Sequence, residues 1–170
     1  MKTIKVIFLS FLLFSFVSGY AHEGGKKKVE KKTSDVEKFD PKRDAAKDIE
    51  NAVKEAKKSG KNILLDVGGE WCPWCRALGK LFAENKDIAS YMKENYVVVK
   101  VNYSPENKNQ EVLSKYPKIT GYPHLFVLDK DGKLLHSQET GALEKGKGHD
   151  PEKVLSFLKE WAPKNEKKAS

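Results

Sequence analysis

Cysteine is scarce in this chain. Only Cys72 and Cys75 occur among 170 residues, so at most one disulfide can form within it. A structural zinc site needs about four ligands, and two cysteines cannot supply them. The four histidines, His22, His124, His136 and His149, are scattered without ligand spacing. Long apolar runs are missing too. The longest, Val6 to Val17, covers twelve residues and is interrupted by Ser10 and Ser15. A membrane span needs about 20 such residues to cross ~30 Å of hydrocarbon. No internal repeat is present, which leaves one domain of ordinary size as the expected organisation.

The short apolar run has another use. Lys2 and Lys5 precede it, and Gly19-Tyr20-Ala21 places small residues at positions −3 and −1 of a cut after Ala21. That is the layout of a cleaved secretory signal peptide over residues 1–21. No cysteine lies at the cut, which excludes lipid attachment there. A soluble, exported mature protein is expected, with no stable membrane insertion, and a bacterial periplasm is the expected compartment. The net charge of +8 is spread in a telling way. The leader, residues 22–38 and the tail from Pro163 each carry an excess of two positive charges, leaving two for residues 39–162. A basic domain face for nucleic acid is therefore not expected. Residues 22–40 read as a charged flexible linker and 163–170 as a basic tail, because neither composition supports a core.

Between them, residues 41–162 carry the periodicity of a domain. Asp44 to Gly60 reads as a helix, with Ala45, Ile49, Ala52, Val53 and Ala56 on one face and Gly60 at its end. Ile63 to Val67 reads as a strand buried on both faces. A helix over Arg76–Asn85 is expected to continue with a bend to Glu94, followed by a strand over Tyr96–Val101 and a short helix over Glu106–Lys115. Pro123–Leu128 and Lys133–Ser137 flank an Asp129-Lys-Asp-Gly132 turn as a hairpin. Asp150-Pro151 opens the last helix. The order α, β, α, β, α, β, β, α implies parallel pairs with an antiparallel edge.

The two cysteines stand at i and i+3 in Trp71-Cys72-Pro73-Trp74-Cys75 at the start of a helix. That spacing puts them one turn apart on one side, within reach of a disulfide. Free N–H groups and the positive end of the helix dipole favour a thiolate at the first position. Cys72 is then an exposed nucleophile and Cys75 the thiol that resolves a mixed disulfide. Pro73 suits the first turn, which has no use for its missing N–H. Two other uses remain open. A staple across so short a loop stabilises little, and a metal site lacks ligands. The redox reading is the strongest of the three.

Asp66-Val-Gly-Gly-Glu-Trp-Cys-Pro-Trp-Cys-Arg76 resembles the active-site strand, loop and helix of the thioredoxin family. The resemblance extends over about residues 44–162. It includes Asp66 six residues before Cys72, Lys100-Val101-Asn102, Gly121-Tyr122-Pro123, and Gly141-Ala142-Leu143 before the final helix. It implies an α/β, three-layer thioredoxin-like fold, with a central mixed sheet, a C-terminal antiparallel hairpin and helices on both faces. It also implies roles. Asp66 is a buried acid that passes a proton to and from Cys75, with Lys100 as its neighbour. Pro123 is cis and holds the Tyr122 backbone beside Cys72 to receive an extended substrate strand. Trp71 packs beside the disulfide as a flat apolar surface. Trp74 is either exposed to partners or tucked in, and His124 either touches substrate, tunes Cys72 or is a plain surface histidine.

The chain departs from thioredoxin at three places. Pro73-Trp74 replaces Gly-Pro between the cysteines, and this dipeptide tunes the redox poise. A first strand is poorly marked, with only Val29, Val36 and Phe39 as candidates. Glu144–His149 is longer than the family's connection, and Gly146 and Gly148 suggest flexibility. The resemblance implies a protein-disulfide oxidoreductase, more of the reducing kind, acting on protein thiols and disulfides. It needs no cofactor beyond the Cys72–Cys75 disulfide and no metal, and it is served by a membrane electron donor or oxidant. An oxidant or isomerase, a non-catalytic binding module on the same fold, and a copper or zinc carrier are the competing readings.

Overall fold

The computed structural model describes residues 38–164. The expected leader, most of the linker and the end of the tail lie outside the described residues.

Helix α1 (Ala45–Ser59) starts where Asp44 caps the N–H groups of Ala46 and Lys47. It stops at Gly60, whose φ of 72° suits a residue without Cβ. Its alanines at positions 45, 52 and 56 are buried against strand β1 (Asn62–Gly68) and strand β2 (Tyr96–Asn102). All seven residues of β1 are buried, as befits a central strand that needs apolar side chains on both faces. Between β1 and β2 the chain forms helix α2 (Pro73–Glu84) and helix α3 (Lys86–Asn95). The single bent helix expected there is two. Asn85 leaves helical geometry, and its side chain accepts the Ile88 N–H at 3.0 Å, so one helix ends where the next is capped.

The helix expected over Glu106–Lys115 shrinks to α4 (Gln110–Leu113). Asparagine side chains compete with helical hydrogen bonds here. The Asn107 side chain accepts the Asn109 N–H and donates to the Pro41 carbonyl, and Asn109 takes a left-handed φ of 44°. Strand β3 (His124–Leu128) and strand β4 (Leu134–Glu139) then form the hairpin. Asp129 holds its turn by accepting from the N–H groups of Asp131 and Lys133. A 3-10 turn, Thr140–Leu143, follows. Glu144–His149 is not an open loop. It closes into a small hairpin of β5 (Glu144–Lys145) and β6 (Gly148–His149), and Gly146 with φ 63° makes the turn. Helix α5 (Pro151–Glu160) begins at the expected Asp150 cap.

The main sheet has the order β2-β1-β3-β4. β1 runs parallel to β2 and antiparallel to β3, and β4 closes the edge antiparallel. Side-chain alternation splits the core. Leu65, Val67, Val99 and Phe126 face α1, whereas Leu64, Val98, Leu125 and Val127 face α2, α3 and α5. This is the three-layer arrangement expected. Among the described residues no strand precedes α1, and most of the stretch holding the candidates for one lies outside them. Alternation also places Asp66 and Lys100, opposite each other in the β1–β2 register, on the α2 face.

Candidate active site

The site lies where β1 hands over to α2. Gly68 and Gly69 end the strand, Cys72 is the N-cap, and Pro73 is the first helical residue. Cys72 and Cys75 are joined by a disulfide across a Cα–Cα distance of 5.2 Å. The Cys72 sulfur occupies the place of a capping oxygen and accepts the Cys75 N–H at 3.1 Å. A thiolate there receives the same bond and the helix dipole together.

Cys72 is not exposed as the sequence suggested. It is 3% accessible and Cys75 1%. The cover comes from positions far apart in the chain. Phe39, Trp74 and Tyr122 pack around the pair. Phe39, assigned by sequence to the charged linker, is buried, and its N–H donates to the Glu70 carboxylate at 2.9 Å. Close approach here depends on glycine. A Cβ at Gly68 would stand 2.5 Å from the Cys75 sulfur and 3.2 Å from the Phe39 ring. One at Gly69 would meet the Trp71 ring.

Trp71 is 53% exposed. Its indole N–H donates to the Tyr103 carbonyl at 2.7 Å, and its ring meets Tyr122 edge-on. Tyr122 stacks on Tyr103 at 4.8 Å. Burial, and then the neighbouring Tyr103, push the Tyr122 hydroxyl's pKa up. These three rings form a half-exposed aromatic wall next to the disulfide. The Tyr122–Pro123 peptide is cis, and the Tyr122 carbonyl oxygen lies 3.6 Å from the Cys72 sulfur. The Thr140 hydroxyl donates to the Pro123 carbonyl at 2.6 Å. Pro73 is exposed, whereas Trp74 is half-buried and meets His149 edge-on at 5.7 Å.

Beneath α2, Asp66 is fully buried and its Oδ2 pairs with the Lys100 ammonium at 2.5 Å. Its other oxygen has no partner within the protein. The Phe39 ring covers Lys100 at 4.5 Å. His124 is neither a surface residue nor on the Asp66 face. It is buried on the opposite side of the sheet against Phe126, with Nε2 2.9 Å from the Ser137 hydroxyl. Burial lowers its pKa, and the nearby Glu139 offsets part of this.

The structure therefore gathers Cys72, Cys75, Asp66, Lys100, Trp71, Pro73, Trp74, Tyr122 and Pro123 at one end of the sheet. It adds Phe39, Tyr103, Thr140 and His149. A lone phenylalanine in a charged stretch was a signal for the first of these; no spacing marked the others. Chemically, the arrangement can stabilise a thiolate at Cys72, accept a proton beneath Cys75, and present backbone and aromatic surface to an incoming chain. Among the described residues no three His, Cys, Asp or Glu side chains form a group that could hold a metal, and no helix is long and apolar enough to cross a membrane.

A family model described as thioredoxin-like matches residues 44–130. The disulfide bond reductase DsbH of Chlamydia pneumoniae is 31% identical over 93 residues, which is 49% of this chain and 55% of that protein. The thiol:disulfide interchange protein DsbD of Actinobacillus pleuropneumoniae is 29% identical over 86 residues, 50% of this chain and 15% of that protein. The chain thus spans about half the length of the first relative and a small part of the second. A crystal structure of a disulphide isomerase from Xylella fastidiosa matches with a TM-score of 0.64 and 26% identity, over 72% of this chain and 94% of that one.

Proposed function

This chain belongs to the thioredoxin-like family, and on that premise we propose that it is an exported thiol–disulfide oxidoreductase that reduces protein disulfides through Cys72 and Cys75. The observation that carries the proposal is the environment of the Cys72 sulfur. It sits at a helix N-cap, receives the Cys75 N–H at 3.1 Å, and faces the Tyr122 carbonyl at 3.6 Å.

In the reduced protein the Cys72 thiolate attacks one sulfur of a substrate disulfide. A Cys72–substrate bond forms, the substrate S–S bond breaks, and the first substrate sulfur leaves as a thiolate that takes a proton from water. Cys75 then gives its proton to Asp66 and attacks the Cys72 sulfur. The Cys72–Cys75 bond forms, the second substrate thiolate leaves, and two electrons have passed to the substrate. Asp66 is the proton acceptor and Lys100 its charge partner. Trp71, Tyr122 and Pro123 form the docking surface, with Pro73 and Trp74 on its rim. Aromatic side faces beside the Tyr122 backbone suit an extended strand.

The electrons reside in the dithiol itself, so the chemistry calls for no cofactor. Restoring the dithiol takes two electrons from outside. An exported protein is cut off from cytosolic reductants, so a membrane electron donor is the proposed partner class. The leader pattern over residues 1–21 supports export to a periplasm. Similarity to a protein named as a reductase supports the reducing direction. One observation favours a second reading: the solved structure with a TM-score of 0.64 is of a protein named as a disulphide isomerase.

Cys75→Ser is the test. It should capture substrates as mixed disulfides on Cys72, and the wild type should reduce insulin with dithiothreitol as electron source. A variant that captures nothing, together with an inert wild type, would refute the enzyme. Refolding of scrambled ribonuclease exceeding insulin reduction would favour the isomerase.

A further inference from the structure

We propose that His149 is a relay residue for this dithiol, passing to solvent the proton that Asp66 takes from Cys75. The inference rests on the oxidoreductase reading and extends its proton path.

Asp66 is fully buried under α2 and held against Lys100. Unless a proton received there from Cys75 moves on, it returns to the Cys75 thiolate, so its departure sets the pace of the resolving step. The β5–β6 hairpin, the stretch by which this chain departs from its family's shorter connection, packs against α2 and brings His149 to that place. The imidazole meets Trp74 edge-on, and Trp74 also packs against the cluster of Phe39, Cys72 and Cys75. Both ring nitrogens are buried and neither has a partner within the protein. The free oxygen of Asp66 is the only other buried, unpartnered side-chain atom described on this face of the sheet. Buried polar atoms are nearly always paired, so unpaired ones beside a reacting centre mark hydrogen-bonding capacity held for another step. His149 also lines a groove beside α2 with Lys80 and Glu84, which opens to solvent.

The charges around the ring suit a relay. Glu144 stands opposite it across the small hairpin, Lys80 and Glu84 border the groove on α2, and the charge of Asp66 reaches it from β1. The adjoining Asp150 is occupied by Lys145 at 3.2 Å. Burial holds the imidazole below its ordinary range, while the Glu144 and Asp66 carboxylates draw it upward. The neutral ring has one nitrogen free to accept. The proton moves from the Asp66 carboxyl to that nitrogen, and the ring gives up a proton when water from the groove reaches its other, buried nitrogen. Asp66 is left ionised and the ring neutral, and no electrons move in this step.

The reduced full chain, mixed with 5,5′-dithiobis-(2-nitrobenzoate), should release coloured thiolate in two bursts, one for Cys72 attack and one for Cys75 resolution. We expect His149→Gln to slow the second burst about tenfold, within what proton transfer contributes to such steps. It should also remove a pH limb that lies below the ordinary histidine range of about 6.5. The second arm needs no change at His149: its titration, followed by proton NMR in the wild type, should move downward in Asp66→Asn, which removes a carboxylate drawing it upward. Superimposed second-burst profiles, or a titration indifferent to Asp66→Asn, would overturn the relay while leaving the oxidoreductase intact. A wild type that releases no coloured thiolate would overturn both.

Discussion

Gly68→Ala tests how tightly the disulfide is packed into the end of the sheet. A methyl at this position would lie 2.5 Å from the Cys75 sulfur, 3.3 Å from its Cβ and 3.2 Å from the Phe39 ring. Ordinary contacts begin near 3.4 Å, so the overlap with sulfur is close to 1 Å. The strand cannot retreat easily. Gly68 is in register with Asn102 of β2, and its carbonyl accepts the Tyr103 N–H at 2.6 Å. Overpacking of this kind costs about 1–3 kcal/mol. In the oxidised protein Cys75 is tied to Cys72 and bears the whole cost. In the reduced protein its sulfur is free to take another χ1 rotamer, which relieves part of it. The substitution therefore destabilises the oxidised form more. If about 1.4 kcal/mol of the cost is specific to that form, the reduction potential rises by about 30 mV. Equilibration in dithiothreitol buffers, followed by tryptophan fluorescence, measures the shift, and thermal unfolding of both forms measures its origin. An unchanged potential together with unchanged midpoints would show that the methyl has room, and the reasoning would fail.

Asp66→Asn should slow decay of the Cys72 mixed disulfide by roughly 10²-fold, at the low end of what general-base catalysis contributes. Rapid quench with alkylation reads this directly, and an unaltered lifetime would remove Asp66 from the proton path. His124 has a folded-state pKa below its ordinary 6.5 because it is buried, so the unfolded chain binds its proton more readily. Stability is then complete above about 6.5 and declines as pH falls through that value; His149 acts in the same sense. The thermal midpoint should drop between pH 7 and pH 5, and His124→Gln should flatten the slope. Trp71→Ala should lower kcat/KM for a protein disulfide by about tenfold, or ~1.4 kcal/mol, as loss of an exposed aromatic anchor does. Its rate with a small disulfide should change far less, and equal losses on both would mean that Trp71 acts on the cysteines rather than on docking.

Much of this site was legible because it is encoded by short-range rules. The Cys72-Pro73 cap, the Asp150-Pro151 start and the Asp129–Gly132 turn each follow from one residue's preferred geometry. Asp66 and Lys100 could be paired by resemblance, and parallel register places them opposite each other. What sequence concealed depends on packing between distant segments. The burial of Cys72 comes from Phe39, Trp74 and Tyr122 converging on it, and no periodicity announces that. Phe39 sits in a charged stretch whose composition argues against a core, yet the gap over Gly68 admits its ring. His149 belongs to a stretch whose two glycines suggested an open loop, whereas Gly146 folds it into a hairpin. The shortening of α4 reflects competition by the Asn107 side chain, an effect that a helix pattern does not weigh.

The reduction potential of the Cys72–Cys75 couple separates a working dithiol from a structural disulfide. A dithiol that reduces protein disulfides should equilibrate readily with glutathione or dithiothreitol buffers and lie near the thioredoxin end of the range, about −270 mV. A couple below about −300 mV that resists exchange would be a structural disulfide, and the account of Cys72 as an attacking thiolate would be contradicted.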